Sequence, residues 1–250
     1  MPFAADHRPW PLPDTAWLQA QSWRGLLFAH WPVDLAALRP VVPAELPIDR
    51  HDGQAWIGIV PFYLTDLRLR GLPPLPGLAS FPELNVRTYV TIDSKPGVYF
   101  FSLDAGNPAA VAGARRLHLN YFYAWMGVDR RGDEVAYASR RVAPPPTGAR
   151  FQARYRPLGP AYNALPGSLA YFLTERYCLY SVAARGRVSR LEIHHPPWPL
   201  QDAEAEIELN TMTAPIGLSL PNAAPLLHYA RRQDMVAWLP RPLDGLVAER

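Results

Sequence analysis

Residues 81–103 read FPELNVRTYVTIDSKPGVYFFSL, in which two runs rich in β-branched and aromatic residues flank a turn-like sequence. The first run, Leu84 to Ile92, and the second, Val98 to Leu103, have the composition of strands. The connection, Asp93 to Gly97, has the composition of a tight turn. The segment therefore predicts a β-hairpin, with Lys95, the only lysine of the chain, at the tip of the turn.

Alternation along the first strand separates polar from apolar side chains. Successive strand residues point to opposite faces, so Glu83, Asn85, Arg87 and Tyr89 share one face and the other face is largely aliphatic. The partner strand is apolar on both faces, which predicts a hairpin covered on both sides. Because an unpaired buried charge is costly, this polar face is expected to hold a polar ligand or to form an internal Glu83–Arg87 pair that only fixes register. The sequence leaves both alternatives open.

Prolines divide the rest of the chain into short elements. The chain has 29 prolines in 250 residues, which favours short strands and turns over long helices, and its hydrophobic content of 49% supports a sizeable core. The pattern predicts roughly ten strands and three or four short helices, with helices at 15–21, 109–116 and 203–210. We expect a mainly β (β-rich α+β) fold, a closed or nearly closed β-barrel decorated with short helices. It would form a single domain over residues 1–250, with an irregular arm at residues 1–13.

Composition narrows the classes of function. The basic residues outnumber the acidic ones by only 25 to 22 and are scattered as singletons and pairs, which argues against a nucleic-acid partner. The single cysteine, Cys178, excludes an internal disulfide and a multi-cysteine metal site. No apolar run approaches the ~20 residues of a membrane span and no leader pattern opens the chain, so we expect no membrane partner and a cytoplasmic location.

Cofactor and metal sites have no support in the motifs. No Gly-rich dinucleotide or phosphate loop and no nucleophile elbow are present, so no cofactor is expected. Glu192 and His194 share a strand face and would supply half of a metal site, but no third ligand follows at a recognised spacing. We therefore expect no metal site.

A second polar constellation follows the hairpin. Arg115 and Arg116 could each bind a carboxylate through two hydrogen bonds, and His118 would titrate near neutral pH. A solvent-facing arginine pair and a core histidine are the alternatives, and the sequence favours these slightly. Tyr121 follows three residues later and adds a phenol to the group.

Several sequence segments taken together resemble the YqjF-like family of uncharacterised proteins, and the resemblance extends over nearly the whole chain. The most specific are Glu83 to Val90 and Val98 to Ala105, and the others are Leu27 to Trp31, Thr174 to Tyr177 and His195 to Trp198. That family is similar in fold to acetoacetate decarboxylase, so the resemblance implies a β-barrel or cone around an internal cavity. It implies no settled activity.

The resemblance also implies what the chain lacks. Decarboxylases of that superfamily carry a Pro-Lys-Lys step, in which one lysine forms an imine and its cationic neighbour lowers the pKa of that lysine. The counterpart here is Asn120-Tyr121-Phe122, so aromatic residues would replace both lysines and Schiff-base decarboxylation is not expected. By the same alignment, Glu83 would lie near the acidic residue of the decarboxylase cavity.

Three functions remain open from the sequence. The leading hypothesis is a cavity that binds a small polar molecule, including one that bears a carboxylate. The residues expected to line this cavity are Glu83, Asn85, Arg87 and Tyr121. Arg115 or Arg116 would bind the carboxylate, with His118 nearby. The alternatives are a non-covalent enzyme acting on a carbonyl compound, with Glu83 and Tyr121 as catalytic acid and base, and a structural or interaction protein with a filled core. A polar-walled cavity of roughly 300 Å³ or more would favour the first two. Aromatic content of 12% leaves room for a homo-oligomer interface.

Overall fold

The computed structural model describes residues 4–142, 148–183 and 186–243. The described strands are β1 (Gln19–Val33), β2 (Ala55–Leu69), β3 (Phe81–Ile92), β4 (Lys95–Ala105), β5 (Tyr121–Arg131), β6 (Glu134–Arg141), β7 (Arg150–Tyr162), β8 (Cys178–Ala183), β9 (Arg187–His194), β10 (Leu200–Asn210), β11 (Leu226–Ala237) and β12 (Arg241–Pro242). The α-helices are α1 (Leu35–Leu38), α2 (Pro108–Arg115) and α3 (Leu169–Thr174), and 3₁₀ turns lie at Arg39–Val41 and Ala214–Ile216. The fold is therefore mainly β with a few short helices, as the sequence predicts.

The described strands form one 12-stranded sheet that meets itself twice. A parallel pairing of β5 with β4 closes a large ring that runs β4-β3-β2-β1-β11-β10-β7-β6-β5. A short pairing of β9 with β11 closes a small ring that runs β4-β8-β9-β11-β1-β2-β3. Strands β1 to β4 and β11 belong to both rings and form the wall between them.

The two faces of the shared strands have different surroundings. On β3, Leu84, Val86 and Val90 join the largest apolar core, which also contains the inward side chains of β6 and β7. Glu83 and Asn85 point to the opposite side, into the small ring. The polar face predicted from the alternation is therefore buried, because a second layer of strands, β8 and β9, covers it.

The hairpin is confirmed, but its turn is shorter than predicted. Asp93 and Ser94 alone form the turn, with φ of 51° and 57°. Both central residues of a type I′ turn need positive φ, which aspartate tolerates better than most residues. Lys95 is therefore the first residue of β4, paired with Ile92, and not the tip of the turn.

Two predicted helices are strands or irregular chain. Residues 203–210 lie in β10, where pairing with β7 sets Glu204 opposite Arg156 and Glu206 opposite Arg154. Such cross-strand charge pairs, together with alternating burial, override the helix propensity of alanine and glutamate. Residues 15–18 are irregular and continue into β1, whose first residue, Gln19, pairs with Ala237.

The N-terminal arm is irregular over the residues that the structure describes. Residues 4–18 contain neither helix nor strand, and Met1 to Phe3 lie outside the described range. Arg8 anchors the arm, because its guanidinium donates to Ile193 O at 2.5 Å and to Glu192 Oε2 at 3.0 Å. None of the helices in the described part of the chain is long and apolar enough to span a membrane.

Candidate functional site

A cavity of about 110 Å³ lies inside the small ring. All seven strands of that ring contribute side chains to it, and Tyr121 of β5 joins them. Its polar wall contains Glu83, Asn85 and Arg87 of β3. This volume is well below the roughly 300 Å³ at which a ligand-binding or catalytic cavity is expected. It is somewhat smaller than a cavity of ~150 Å³ that admits benzene, which limits a ligand to a few heavy atoms.

Glu83 and Tyr121 form a hydrogen-bonded pair at one end of the polar wall. The Tyr121 hydroxyl donates to Glu83 Oε2 at 3.1 Å, and the Glu83 side chain is almost fully buried. Burial raises the pKa of Glu83 to about 8, the Tyr121 hydrogen bond opposes that rise, and the nearby Asp104 adds to it. Burial and the adjacent Glu83 raise the pKa of Tyr121 well above its usual value. At neutral pH the pair is therefore mostly uncharged.

Arg87 lies at the other end of the wall, without an acidic partner among the described residues. Its Nη2 donates to Leu173 O at 2.9 Å, and its guanidinium lies 5.3 Å from the centre of the Phe28 ring. The internal Glu83–Arg87 pair considered from the sequence does not form. Arg87 is 8% exposed, and its Nε has no hydrogen-bond partner in the described chain.

Asn85 lies between the two ends. It is 5% exposed, and no hydrogen bond to Oδ1 forms within the described residues. An unsatisfied buried amide costs roughly 1–3 kcal/mol. Unsatisfied groups on one wall of a cavity are expected where a ligand or ordered water completes the hydrogen bonds.

A buried ion pair stands behind the polar wall. Arg141 of β6 donates from Nε and Nη2 to both carboxylate oxygens of Asp104 at 2.6 to 3.1 Å. The Arg141 guanidinium also lies 4.1 Å from the centre of the Phe122 ring. Because Asp104 is bonded in this way, Arg141 is not available to neutralise Glu83.

The opposite wall of the cavity is aromatic and was not identified from the sequence as part of a site. Trp23 and Trp198 stack with ring centres 5.7 Å apart, and Trp198 meets Phe28 edge to face at 4.9 Å. Neither indole N–H has a hydrogen-bond partner among the described residues. Trp198 belongs to the His195 to Trp198 string that carries part of the family resemblance, which was the available signal.

His195 and Arg176 also line the cavity, and both have hydrogen-bond partners within the protein. Burial lowers the pKa of His195 to about 4, so the ring is neutral at pH 7. Arg176 donates to Asp49 Oδ2 at 2.7 Å and to Phe172 O at 2.6 Å. Arg87 is therefore the cavity cation whose charge is left without an anionic partner in the described chain.

The second constellation does not reach the cavity, apart from Tyr121. Arg115, Arg116 and His118 are exposed and are absent from the cavity lining. Arg115 Nε donates to Tyr121 O at 2.7 Å, a contact that secures the start of β5. Helix α2 buries only Val111, so its last turn and the residues after it project into solvent.

Lys95 and Glu192 belong to an ion cluster away from the cavity. Lys95 Nζ lies 3.3 Å from Glu192 Oε1, and Glu192 Oε2 accepts from Trp10 Nε1 at 2.8 Å. These contacts tie the arm to β4 and β9. Within the described ranges, no three histidine, cysteine, aspartate or glutamate side chains are grouped as metal ligands.

Comparison with known proteins gives a family. The model of the DUF2071 family, described as an uncharacterized conserved protein, matches residues 20–234. The chain is also 51% identical over 228 residues to the uncharacterized protein YqjF of Bacillus subtilis (strain 168), covering 91% of this chain and 93% of that protein.

Comparison with solved structures gives the fold. The enduracididine biosynthesis enzyme MppR complexed with pyruvate matches with a TM-score of 0.66 at 12% identity, covering 95% of this chain and 93% of that one. An acetoacetate decarboxylase structure matches with a TM-score of 0.61 at 15% identity, covering 92% and 90%. The fold is thus of the acetoacetate decarboxylase kind, and the chain belongs to the DUF2071 family of YqjF-like proteins.

Proposed function

We propose that the small-ring cavity binds a small monocarboxylate, with Arg87 as the anion anchor. The observation that carries this proposal is a buried guanidinium on the wall of the small-ring cavity, without an acidic partner among the described residues. A buried charge is tolerated when a counter-ion pairs with it, and guanidinium and carboxylate match in geometry. Since Glu83 and His195 are mostly neutral at pH 7, a bound anion would meet little repulsion.

The size and remaining polar atoms of the cavity support a short acid. About 110 Å³ suits a compound of a few heavy atoms. The two indole N–H groups can donate hydrogen bonds to its oxygens, and Asn85 Oδ1 can accept one from a hydroxyl group or a water molecule. The bound pyruvate of the MppR structure, a three-carbon acid, is consistent with this size, although that protein shares only 12% identity with this chain.

A filled core is the alternative that the small volume favours. It predicts that no small acid stabilises the fold, whereas a binding protein gains stability from a ligand that binds only the folded state. Thermal unfolding should therefore be measured with acetate, propionate and pyruvate at constant ionic strength, with propionamide as the neutral analogue of propionate. We expect a rise in melting temperature with at least one acid and none with the amide.

Arginine variants locate the site. Arg87→Met should abolish the rise, Arg87→Lys should keep part of it because the charge remains, and the exposed controls Arg115→Met and Arg116→Met should keep all of it. If no acid shifts the melting temperature, or if Arg87→Met responds as the unmodified protein does, the proposal is wrong.

A further inference from the structure

Asn85 supplies the cavity with a hydrogen-bond acceptor that the described chain does not use. The side chain is 5% exposed, and no described group donates a hydrogen bond to its Oδ1. Its partners on the neighbouring strands are Val60 of β2 and Leu103 of β4, which are aliphatic and also line the cavity. Because a buried amide oxygen without a donor is costly, the cavity favours a ligand that brings a donor with it.

The proposed anion anchor lies next to this acceptor. Asn85 and Arg87 are alternate residues of β3, so their side chains project to the same side of the strand at an interval of roughly 6.6 Å. Arg87 Nη2 is held by Leu173 O, which leaves the other N–H groups of the guanidinium, including that of Nε, for a ligand. The strand therefore presents a cation and an unused acceptor side by side.

We propose that the cavity selects short hydroxy acids, with the carboxylate on Arg87 and the hydroxyl group donating to Asn85 Oδ1. This inference rests on the proposed function and names the class of acid that the same site prefers. With hydrogen bonds of ~3 Å at each end, an acid spans the interval when its hydroxyl group lies on the second or third carbon. The ligand does not need to reach Glu83, which lies two residues further along the strand.

The same geometry disfavours acids that lack a hydroxyl group. The oxygen of a ketone only accepts hydrogen bonds, so an oxo acid would set it against Asn85 Oδ1 as one acceptor against another. An unsubstituted acid would leave Oδ1 buried and without a donor. A site that hydrogen-bonds a hydroxyl group rejects such analogues because its own polar group is then unpaired. Arg87 thus provides affinity for the anion, and Asn85 provides the preference among anions.

The aromatic wall accommodates the rest of the acid. The Phe28 ring lies 5.3 Å from the Arg87 guanidinium and meets Trp198 edge to face at 4.9 Å. The Trp198 N–H has no partner within the described ranges and can donate to a second carboxylate oxygen. Since the cavity holds about 110 Å³, the carbon skeleton is limited to roughly three or four atoms.

A matched series of acids tests the inference. Dissociation constants are measured by isothermal titration calorimetry with the intact protein at pH 7 and constant ionic strength. The ligands are each enantiomer of lactate, 3-hydroxypropionate, propionate, pyruvate and isobutyrate. Isobutyrate controls for size, because a methyl group replaces the hydroxyl group of lactate. We expect at least one hydroxy acid to bind on the order of tenfold more tightly than propionate, pyruvate and isobutyrate.

Variants assign the preference to Asn85. Asn85→Leu has nearly the same shape and no acceptor, so it should bind propionate as the unmodified protein does and lose the preference for hydroxy acids. Its melting temperature without ligand checks that it is folded. The exposed control Asn222→Leu should keep the preference, and Arg87→Met should bind none of the acids.

The outcomes separate this inference from the proposed function. If none of the acids binds, the proposed function fails and this inference fails with it. If acids bind but no hydroxy acid binds more tightly than isobutyrate and pyruvate, only this inference fails. It also fails alone if Asn85→Leu is folded and keeps the preference of the unmodified protein.

Discussion

Glu83→Gln should make the protein more stable at alkaline pH. The buried Glu83 carboxyl holds its proton up to about pH 8 in the folded chain, whereas it ionises near 4.5 when exposed. Between these values the unfolded chain has lost a proton that the folded chain retains, so raising the pH favours unfolding. Glutamine has nearly the same shape, can accept the Tyr121 hydrogen bond and does not ionise.

The size of the effect follows from the pKa rise. A change from 4.5 to about 8 corresponds to about 5 kcal/mol at ~1.4 kcal/mol per pKa unit. Most of this penalty develops between pH 5 and pH 9. Relative to the unmodified protein, we therefore expect the free energy of unfolding of Glu83→Gln to gain about 4 kcal/mol over that range.

Urea unfolding at pH 5, 6, 7, 8 and 9 measures this directly, with Glu134→Gln as the exposed control. The difference between Glu83→Gln and the unmodified protein should grow with pH and level off above about 8. A constant difference from pH 5 to pH 9 would refute the reasoning, because Glu83 would then titrate alike in the folded and unfolded chains.

Three further predictions follow from the same contacts. Asp104→Ala should destabilise the fold by about 3–5 kcal/mol in the same urea assay, since it leaves Arg141 buried and unpaired. The control Asp133→Ala breaks an exposed ion pair and should cost under about 1 kcal/mol. Equal losses would contradict the burial of the first pair. His195→Gln should reduce by about 2 kcal/mol the free energy of unfolding that is lost between pH 7 and pH 5. The reason is that the unfolded chain takes up a proton at His195 near pH 6.5, whereas the buried ring takes it up only near pH 4. An unchanged dependence of stability on pH in this range would contradict a neutral, buried ring. Borohydride treatment in the presence of pyruvate should give no adduct by mass spectrometry, and an adduct lost in Lys95→Ala would show that this lysine reaches the ligand.

Much of the fold could be predicted because strand periodicity is local. The polar and aliphatic faces of β3 and the β3–β4 hairpin follow from alternation and turn chemistry alone. Residues 203–210 were predicted as helix because the charges that fix β10 as a strand lie on β7, some 50 residues away in the chain. The closure of the small ring depends on two residue pairs between β9 and β11. No local sequence pattern predicts this pairing.

The site could be predicted only on the strand where its residues are contiguous. Glu83, Asn85 and Arg87 were identified from one face of β3. The aromatic wall was not, since Trp23 and Trp198 meet only after β1 and the segment following β9 pack together. Arginine pairs such as Arg115 and Arg116 look the same in the sequence whether they face solvent or line a pocket. Only the structure shows that this pair is exposed.

Anion binding at Arg87 is the central claim, and a crystal structure of the protein soaked with pyruvate tests it most directly. The proposed function predicts density for one pyruvate inside the small ring, with its carboxylate within about 3 Å of the Arg87 guanidinium. An empty or water-filled cavity at a pyruvate concentration that raises the melting temperature, with pyruvate bound instead at the exposed Arg115 or Arg116, would contradict it.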